Sequence, residues 1–192
     1  MATQDSRIKL KRSTIAATVP TVPSSNDHTD GTWIATDIYK GELFYNQADG
    51  VLWTRGDSGI ECIQGTAKLT IASADVLTLN TTPLTIVAAQ GVGTAIEVIS
   101  ASVKIDFNTT AYATNTTLQL ISPGGATLVQ ATTTTVLAVT QNTHTGFIRT
   151  APVASGGSIF ENTALTVNVF NGNPTAGDSD ITVYITYRII TL

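Results

Sequence analysis

Ile181-Thr182-Val183-Tyr184-Ile185-Thr186-Tyr187-Arg188-Ile189 sets an apolar side chain at every second position near the end of the sequence. Successive side chains of an extended chain point to opposite sides, so Ile181, Val183, Ile185, Tyr187 and Ile189 share one face of a strand. Residues 95–108 form a second long strand of this kind, with Ile99, Ala101, Val103, Ile105 and Phe107 on a common face. Shorter strands are expected at 68–71, 84–87, 118–121, 136–139, 146–150 and 165–169, and one helical turn at 73–77. Gly91-Val92-Gly93, Ser122-Pro123-Gly124-Gly125 and Gly172-Asn173-Pro174-Thr175-Ala176-Gly177 punctuate them as turns. About eight strands at this spacing predict an all-β fold, an antiparallel sandwich or jelly roll. There is no fixed-period repeat for a solenoid or propeller and no heptad run for a coiled-coil shaft.

Composition points the same way. Thirty-five of the 192 residues are threonine, a β-branched residue that suits pleated, half-buried surfaces. Charged residues make up 12% of the chain, and ten Lys+Arg against fourteen Asp+Glu leave a net charge of −4. That balance argues against a nucleic-acid-binding protein, because neutralising phosphates needs a basic footprint. No stretch approaches the roughly 18–20 apolar residues of a spanning helix, so membrane insertion is not expected. The start, Met-Ala-Thr-Gln-Asp, is polar and carries no apolar signal core. Cys62 is the single cysteine, which removes an intrachain disulfide framework and any multi-cysteine metal site.

The charge distribution divides the chain near Gly65. Residues 1–65 hold six of the ten basic residues, eight of the fourteen acids and both tryptophans; residues 66–192 hold only ten charged side chains. The first part reads as an arm, the second as the β domain. In the arm, Arg7-Ile8-Lys9-Leu10-Lys11-Arg12-Ser13 alternates bases with Ile8 and Leu10, a pattern suited to an edge strand that pairs with another chain. A Pro/Ser/Asn-rich run follows at 19–26. Asp49-Gly50, between apolar runs, predicts a β-hairpin over 42–55, because Gly accepts the positive φ of a tight turn.

The chemistry-bearing residues are few. Gly91-Val92-Gly93 lacks a third glycine and a following helix, so it reads as a turn rather than a nucleotide loop. Asn80-Thr81-Thr82, Asn108-Thr109-Thr110 and Asn115-Thr116-Thr117 match the glycosylation acceptor pattern but read as strand ends and turns. Asn173, Asp178 and Asp180 could offer oxygens to calcium, against the plainer reading of turn chemistry. His28 and His144 have no serine elbow or His-Glu-x-x-His around them and read as surface residues; Cys62 reads as a small buried residue. Glu97 and Glu161, the only glutamates beyond residue 61, are the remaining candidates for an acid/base pair, and nothing in the sequence brings them together. No catalytic residue, cofactor or metal is therefore assigned, and no enzyme is expected. Arg7, Lys9, Lys11 and Arg12 fit an acidic protein surface better than nucleic acid, since no aromatics interleave them.

Two sets of motifs carry a resemblance. Ile8-Lys9-Leu10-Lys11-Arg12-Ser13-Thr14, Val19-Pro20-Thr21, Gly41-Glu42-Leu43, Asn46 and Ala48-Asp49-Gly50, in that order, resemble an N-terminal segment of tailed-phage fibre and virion appendage proteins. The longer form here, Pro23-Ser24-Ser25-Asn26-Asp27-His28-Thr29-Asp30-Gly31 with Thr36-Asp37-Ile38-Tyr39, looks closest to structural proteins of crAss-like phages. Leu79-Asn80-Thr81-Thr82-Pro83-Leu84-Thr85, Tyr112-Ala113-Thr114 and 172–180 resemble a recurrent phage module. Ala16-Ala17 stands where the arm pattern often has a glycine.

The resemblance implies a virion structural protein made in the host cytoplasm. It would be a homotrimeric head fibre or capsid decoration, with a jelly-roll-like domain at 66–192 fastened to phage capsid proteins by an arm at 1–65. Arg7, Ile8, Lys9, Leu10, Lys11, Arg12, Trp33, Tyr39 and Trp53 are the candidate attachment residues: bases for electrostatic contact, Ile8 and Leu10 for strand addition, and the aromatics as apolar anchors. The alternative is a tail fibre module recognising a host surface glycan through Tyr112 and the loops at 141–145 and 172–180.

Overall fold

The computed structural model describes residues 10–25, 29–57, 59–122, 127–132, 135–147 and 161–192. Arg7, Ile8, Lys9, His28 and the 122–125 turn beyond Ser122 lie outside them. The chain divides into two compact units, Met1–Gly65 and Thr66–Leu192.

In the first unit, β1 (Lys11–Ser13), β2 (Leu43–Asn46), β3 (Val51–Arg55) and the start of β4 (Ile60–Ile71) are neighbours in that order. β2 and β3 are the expected hairpin. Asn46 pairs with Val51, and Gly50 takes φ +67° in the turn between them. Phe44 faces Trp53 across the hairpin, and both are buried together with Ile38 and Val51 as the core of this unit. The basic strand does not wait for another chain. β1 lies parallel to β2 of its own chain, Lys11 opposite Phe44 and Ser13 opposite Asn46.

The second unit continues from β4 through α1 (Ser73–Val76), β5 (Leu84–Val87), β6 (Thr94–Asp106), β7 (Leu118–Ser122), β8 (Thr127–Ala131), β9 (Thr143–Gly146), β10 (Leu165–Val169) and β11 (Asp180–Thr191). Within it the strands lie in the orders β4-β11-β6-β9 and β5-β10-β7-β8. Each order interleaves strands from the two ends of the unit, as a jelly-roll-like sandwich requires. The pairings of β6 with β9 and β11, and of β10 with β5 and β7, are antiparallel. The two-residue period of β11 is kept along its length, with Ile181, Val183, Ile185, Tyr187 and Ile189 all 7% exposed or less. Leu118, Leu120, Leu165, Val167 and Val169 supply the matching buried positions of the other sheet. The chain is an all-β sandwich.

Two local expectations are corrected. Ile99 does not share the face of Val103 and Ile105. Thr186 pairs with Ser100 and Tyr187 with Val98, so a β-bulge leaves Ile99 unopposed. One extra residue inverts the parity of what precedes it, which buries Val98 and leaves Ile99 48% exposed. Residues 136–139 are not a strand: Val136–Ala138 is a single 3-10 turn in which the adjacent Val136 and Leu137 are both buried, an outcome that a strand with one solvated face forbids. A strand runs from Thr143 to Gly146, and residues 148–150 of the strand expected at 146–150 lie outside the described residues. β8 is an addition that its short Thr-Leu-Val-Gln-Ala sequence did not announce.

These placements separate two isoleucines on adjacent strands. Ile181→Ala, in the fully buried row of β11, is expected to lower unfolding stability by about 2–5 kcal/mol in urea titrations, whereas Ile99→Ala at the exposed bulge is expected to stay within about 0.5 kcal/mol.

Candidate functional site

The arm unit is organised by two buried polar side chains. Asp37, 3% exposed, accepts the Thr21 hydroxyl on Oδ1 at 2.6 Å and the Ile34 N–H on Oδ2 at 2.9 Å. A parallel bridge between Thr21 and Asp37 ties the proline segment to the loop before the hairpin. These bonds hold the Asp37 carboxyl below the ordinary carboxylate range, the Thr21 hydroxyl contributing most and Lys11 and Arg55 adding charge. Asn46, 1% exposed, donates its amide to the carbonyls of Ile15 and Thr18 at 3.1 and 3.0 Å and to Asp49 Oδ2 at 2.7 Å. Asp49 Oδ2 also accepts the Ala17 N–H at 2.6 Å. Ala17 has φ +57°, so the residue standing in place of the pattern's glycine does adopt a glycine-like conformation, and the Asp49 carboxylate holds it there.

The candidate attachment residues separate on this frame. Lys11 is occupied internally: its ammonium bonds the Asp37 carbonyl, lies 3.8 Å from Glu42 and sits 5.7 Å from the centroid of the Trp33 ring. Trp33 packs on Tyr39 with ring centroids 4.5 Å apart, and its indole N–H is buried without a hydrogen-bond partner among the described residues. Trp53 is 5% exposed and belongs to the hairpin core, so it offers little to an outside surface. Leu10, Arg12 and Tyr39 are exposed. Sequence reasoning did not single out Ile15, Val19, Val22, Ile34, Tyr45 and Ile63, which are exposed as well.

In the second unit, Tyr112 and the polar side chains of the 172–180 loop are committed to the fold, while Gln141, Asn142 and His144 of the 141–145 loop are exposed. Tyr112 is 2% exposed and donates its hydroxyl to the Ser179 carbonyl at 2.6 Å, so it is not a surface residue. Burial pushes its phenol above the ordinary value, and the charges of Asp180 and Asp178 add to that. Asp178 accepts the Thr109 hydroxyl, the N–H groups of Thr109 and Thr110 at 3.1 and 2.8 Å, and the Asn108 amide at 3.1 Å. The Thr109 hydroxyl does most to hold its carboxyl below the ordinary range. Asn173 Oδ1 accepts the N–H groups of Asn80 and Thr81, and Asp180 Oδ1 accepts that of Ser73. The three candidate calcium ligands thus fasten three different segments. No group of three or more His, Cys, Asp or Glu side chains suited to a metal occurs among the described residues.

The remaining titratable candidates are dispersed. Glu97 pairs with Arg188, while Glu161 accepts the Gly93 N–H at 2.6 Å and closes the 91–93 turn. His144 is exposed on β9, its Nε2 3.1 Å from Ser102 Oγ. Cys62 is half-buried and pairs with Trp53 across β3 and β4. No helix among the described residues is long and apolar enough to cross a membrane.

No protein-family model matches the chain, and no curated protein matches it. Among solved structures, a chain of the Cyanophage Pam1 capsid asymmetric unit is similar at a TM-score of 0.40 and 21% identity, over 66% of this chain and 84% of that one. So slight a likeness carries nothing about role.

Two outcomes test this geometry. Gly177 has φ +99°, and a Cβ there would lie 2.1 Å from the Tyr112 ring; Gly177→Ala is expected to cost about 2–4 kcal/mol of stability by overpacking and backbone strain. Asp37 and Asp178 both have folded-state values below their unfolded ones. Their stabilising contribution is therefore full above the ordinary carboxylate value near ~4 and is lost as pH falls through the lower folded values. Thermal unfolding followed from neutral pH downward should show Tm falling below about pH 4, with a shallower acid limb in Asp178→Asn.

Proposed function

We propose that the chain is a structural virion protein of a tailed bacteriophage, a homotrimeric head fibre or capsid decoration fastened through its first unit. The observation that carries the reading is the concentration of exposed apolar side chains in that unit. Leu10, Ile15, Val19, Val22, Ile34, Tyr39, Tyr45 and Ile63 are all exposed there, whereas among the described residues of the larger unit the exposed large apolar side chains are Val92, Ile99, Phe170, Tyr184 and Leu192. A small unit that shows this much apolar surface gains stability by covering it with a partner. The order of the arm motifs, which resembles an N-terminal segment of tailed-phage fibre and virion appendage proteins, supports another virion protein as that partner, and immunogold labelling decides between capsid and tail.

The division of labour follows from the geometry. Lys11 spends its charge within the unit, so Arg12 is the described base available for an acidic protein surface. β1 is the edge strand in the order β1-β2-β3-β4, the position from which strand addition to a partner sheet is made, and the exposed Leu10 immediately precedes it. The Asp37 and Asn46 bonds fix the backbone at Ile34 and Ile15, two of the exposed positions, which lowers the ordering cost of binding.

Full-length protein carrying Leu10→Glu, Ile15→Glu and Ile34→Glu is expected to keep its circular dichroism spectrum and to bind virions lacking the protein at least tenfold more weakly than wild type. Undiminished binding would remove the arm from the attachment role. Sedimentation of the wild-type chain should give a trimer, and immunogold labelling should place it on the capsid rather than the tail.

A further inference from the structure

The outward face of the β4-β11-β6-β9 sheet holds a constellation that neither the arm nor the core uses. Tyr184, near the middle of β11, is 37% exposed among short hydroxyl side chains. The ladder fixes its neighbours: Tyr184 opposite Ser102, Thr186 opposite Ser100, Thr182 opposite Lys104, and Lys104 opposite His144. At the end of the Tyr184–Ser102 row stands Gly146, which has no side chain to fill the space. One large ring among small groups leaves a depression on each side of it. The first, about 550 Å³, is bounded by Tyr184, Ser102, Lys104, Asn142 and His144. The second, about 490 Å³, is bounded by Tyr184, Thr66, Lys68, Ser100 and Thr186.

The charges on this face are unevenly matched. Lys104 is paired with Asp106 at 2.7 Å, and Arg188 with Glu97. The Lys68 ammonium lies 5.8 Å from the centroid of the Tyr184 ring and makes no ion pair with a described carboxylate. A positive charge without an anion among the described residues therefore stands beside the exposed aromatic ring.

We propose that this face is a binding site for a carboxylate-bearing saccharide chain. A sugar ring offers an apolar C–H face and a rim of hydroxyls; the Tyr184 ring suits the first and the row Thr66, Ser100, Ser102 and Thr186 the second, since each hydroxyl both donates and accepts. Depressions on both sides of the ring admit a chain running across Tyr184, and Lys68 supplies the counter-charge for a uronate or sialate carboxylate. A second copy of this chain fits the face less well. The core of a protein–protein interface is depleted of charge, and packing here would desolvate Lys68 together with the Lys104–Asp106 and Arg188–Glu97 pairs. The inference does not depend on where the protein sits in a virion.

The test is calorimetric titration of the full chain with oligogalacturonate, alginate oligomers and sialyllactose, with dextran oligomers as the neutral comparison. At least one acidic saccharide is expected to bind, more tightly than dextran. Tyr184→Ala should weaken that binding about tenfold or more, Tyr184→Phe should preserve it, and Lys68→Gln should remove most of the preference for the acidic sugar. Because Tyr184 and Lys68 are exposed, unchanged circular dichroism is expected for all three variants. Failure of every acidic saccharide to bind, or unchanged affinity in Tyr184→Ala, would overturn the proposal. So would loss of self-association in Tyr184→Ala by sedimentation, which would make the face a contact between copies.

Discussion

The antiparallel ladder between β6 and β11 is the constraint on which the larger unit depends. It pairs Asp180 with Asp106 at one end and Thr191 with Thr94 at the other, and β11 also borders β4. A strand paired on both edges has its backbone groups satisfied, so its side chains alone decide which face turns inward. The row from Ile181 to Ile189 makes that decision without ambiguity. It also leaves Thr182, Tyr184, Thr186 and Arg188 on the other side, so the strand that organises the core also presents Tyr184 to solvent. The bulge at Ile99 accommodates the mismatch between two long strands by letting one residue drop out of register.

The smaller unit rests on different physics. Its apolar core is modest, and its loops are instead held by Asp37 and Asn46, each satisfying several backbone or side-chain groups at once. A buried polar group that meets its partners specifies one arrangement, because any other leaves it unsatisfied at a cost of about 1–3 kcal/mol. The unit thereby keeps its loop conformations while leaving much of its apolar surface outside. The same economy of side chains shapes the 172–180 loop, where Asn173, Asp178 and Asp180 reach three separate segments and Tyr112 closes over Gly177.

Reading the candidate site from sequence succeeded where chemistry is local and failed where it is relational. The hairpin at Asp49-Gly50 and the helical turn at 73–77 follow from neighbours in sequence, and both stand near where they were expected. Residue type marks Lys11 and Trp53 as charged and aromatic, yet cannot reveal that Glu42 and Asp37 absorb the first or that Phe44 covers the second. Tyr112 looked like a loop aromatic because Gly, Thr and Asn surround it. Its burial arises from a loop more than sixty residues away that bends back over it. Ile15 and Ile34 carried no signal at all, since an isolated isoleucine reads equally as core or surface.

The class of architecture is legible in local pattern: alternation in β11, short β-branched runs, turn residues at regular intervals and a shortage of charge admit little besides an antiparallel sandwich. Alternation is a property of neighbouring residues and survives in any register, which is why it can be read from one strand alone. Strand order, the bulge, and the neighbours that surround Tyr184 were decided only in the tertiary structure. A strand's partner depends on which distant segment offers a matching apolar face, and a one-residue shift there exchanges inside for outside. Val98 and Ile99 are neighbours on β6, and it was the bulge against β11 that put the first in the core and the second in solvent, where an unbroken alternation had Ile99 on the buried face.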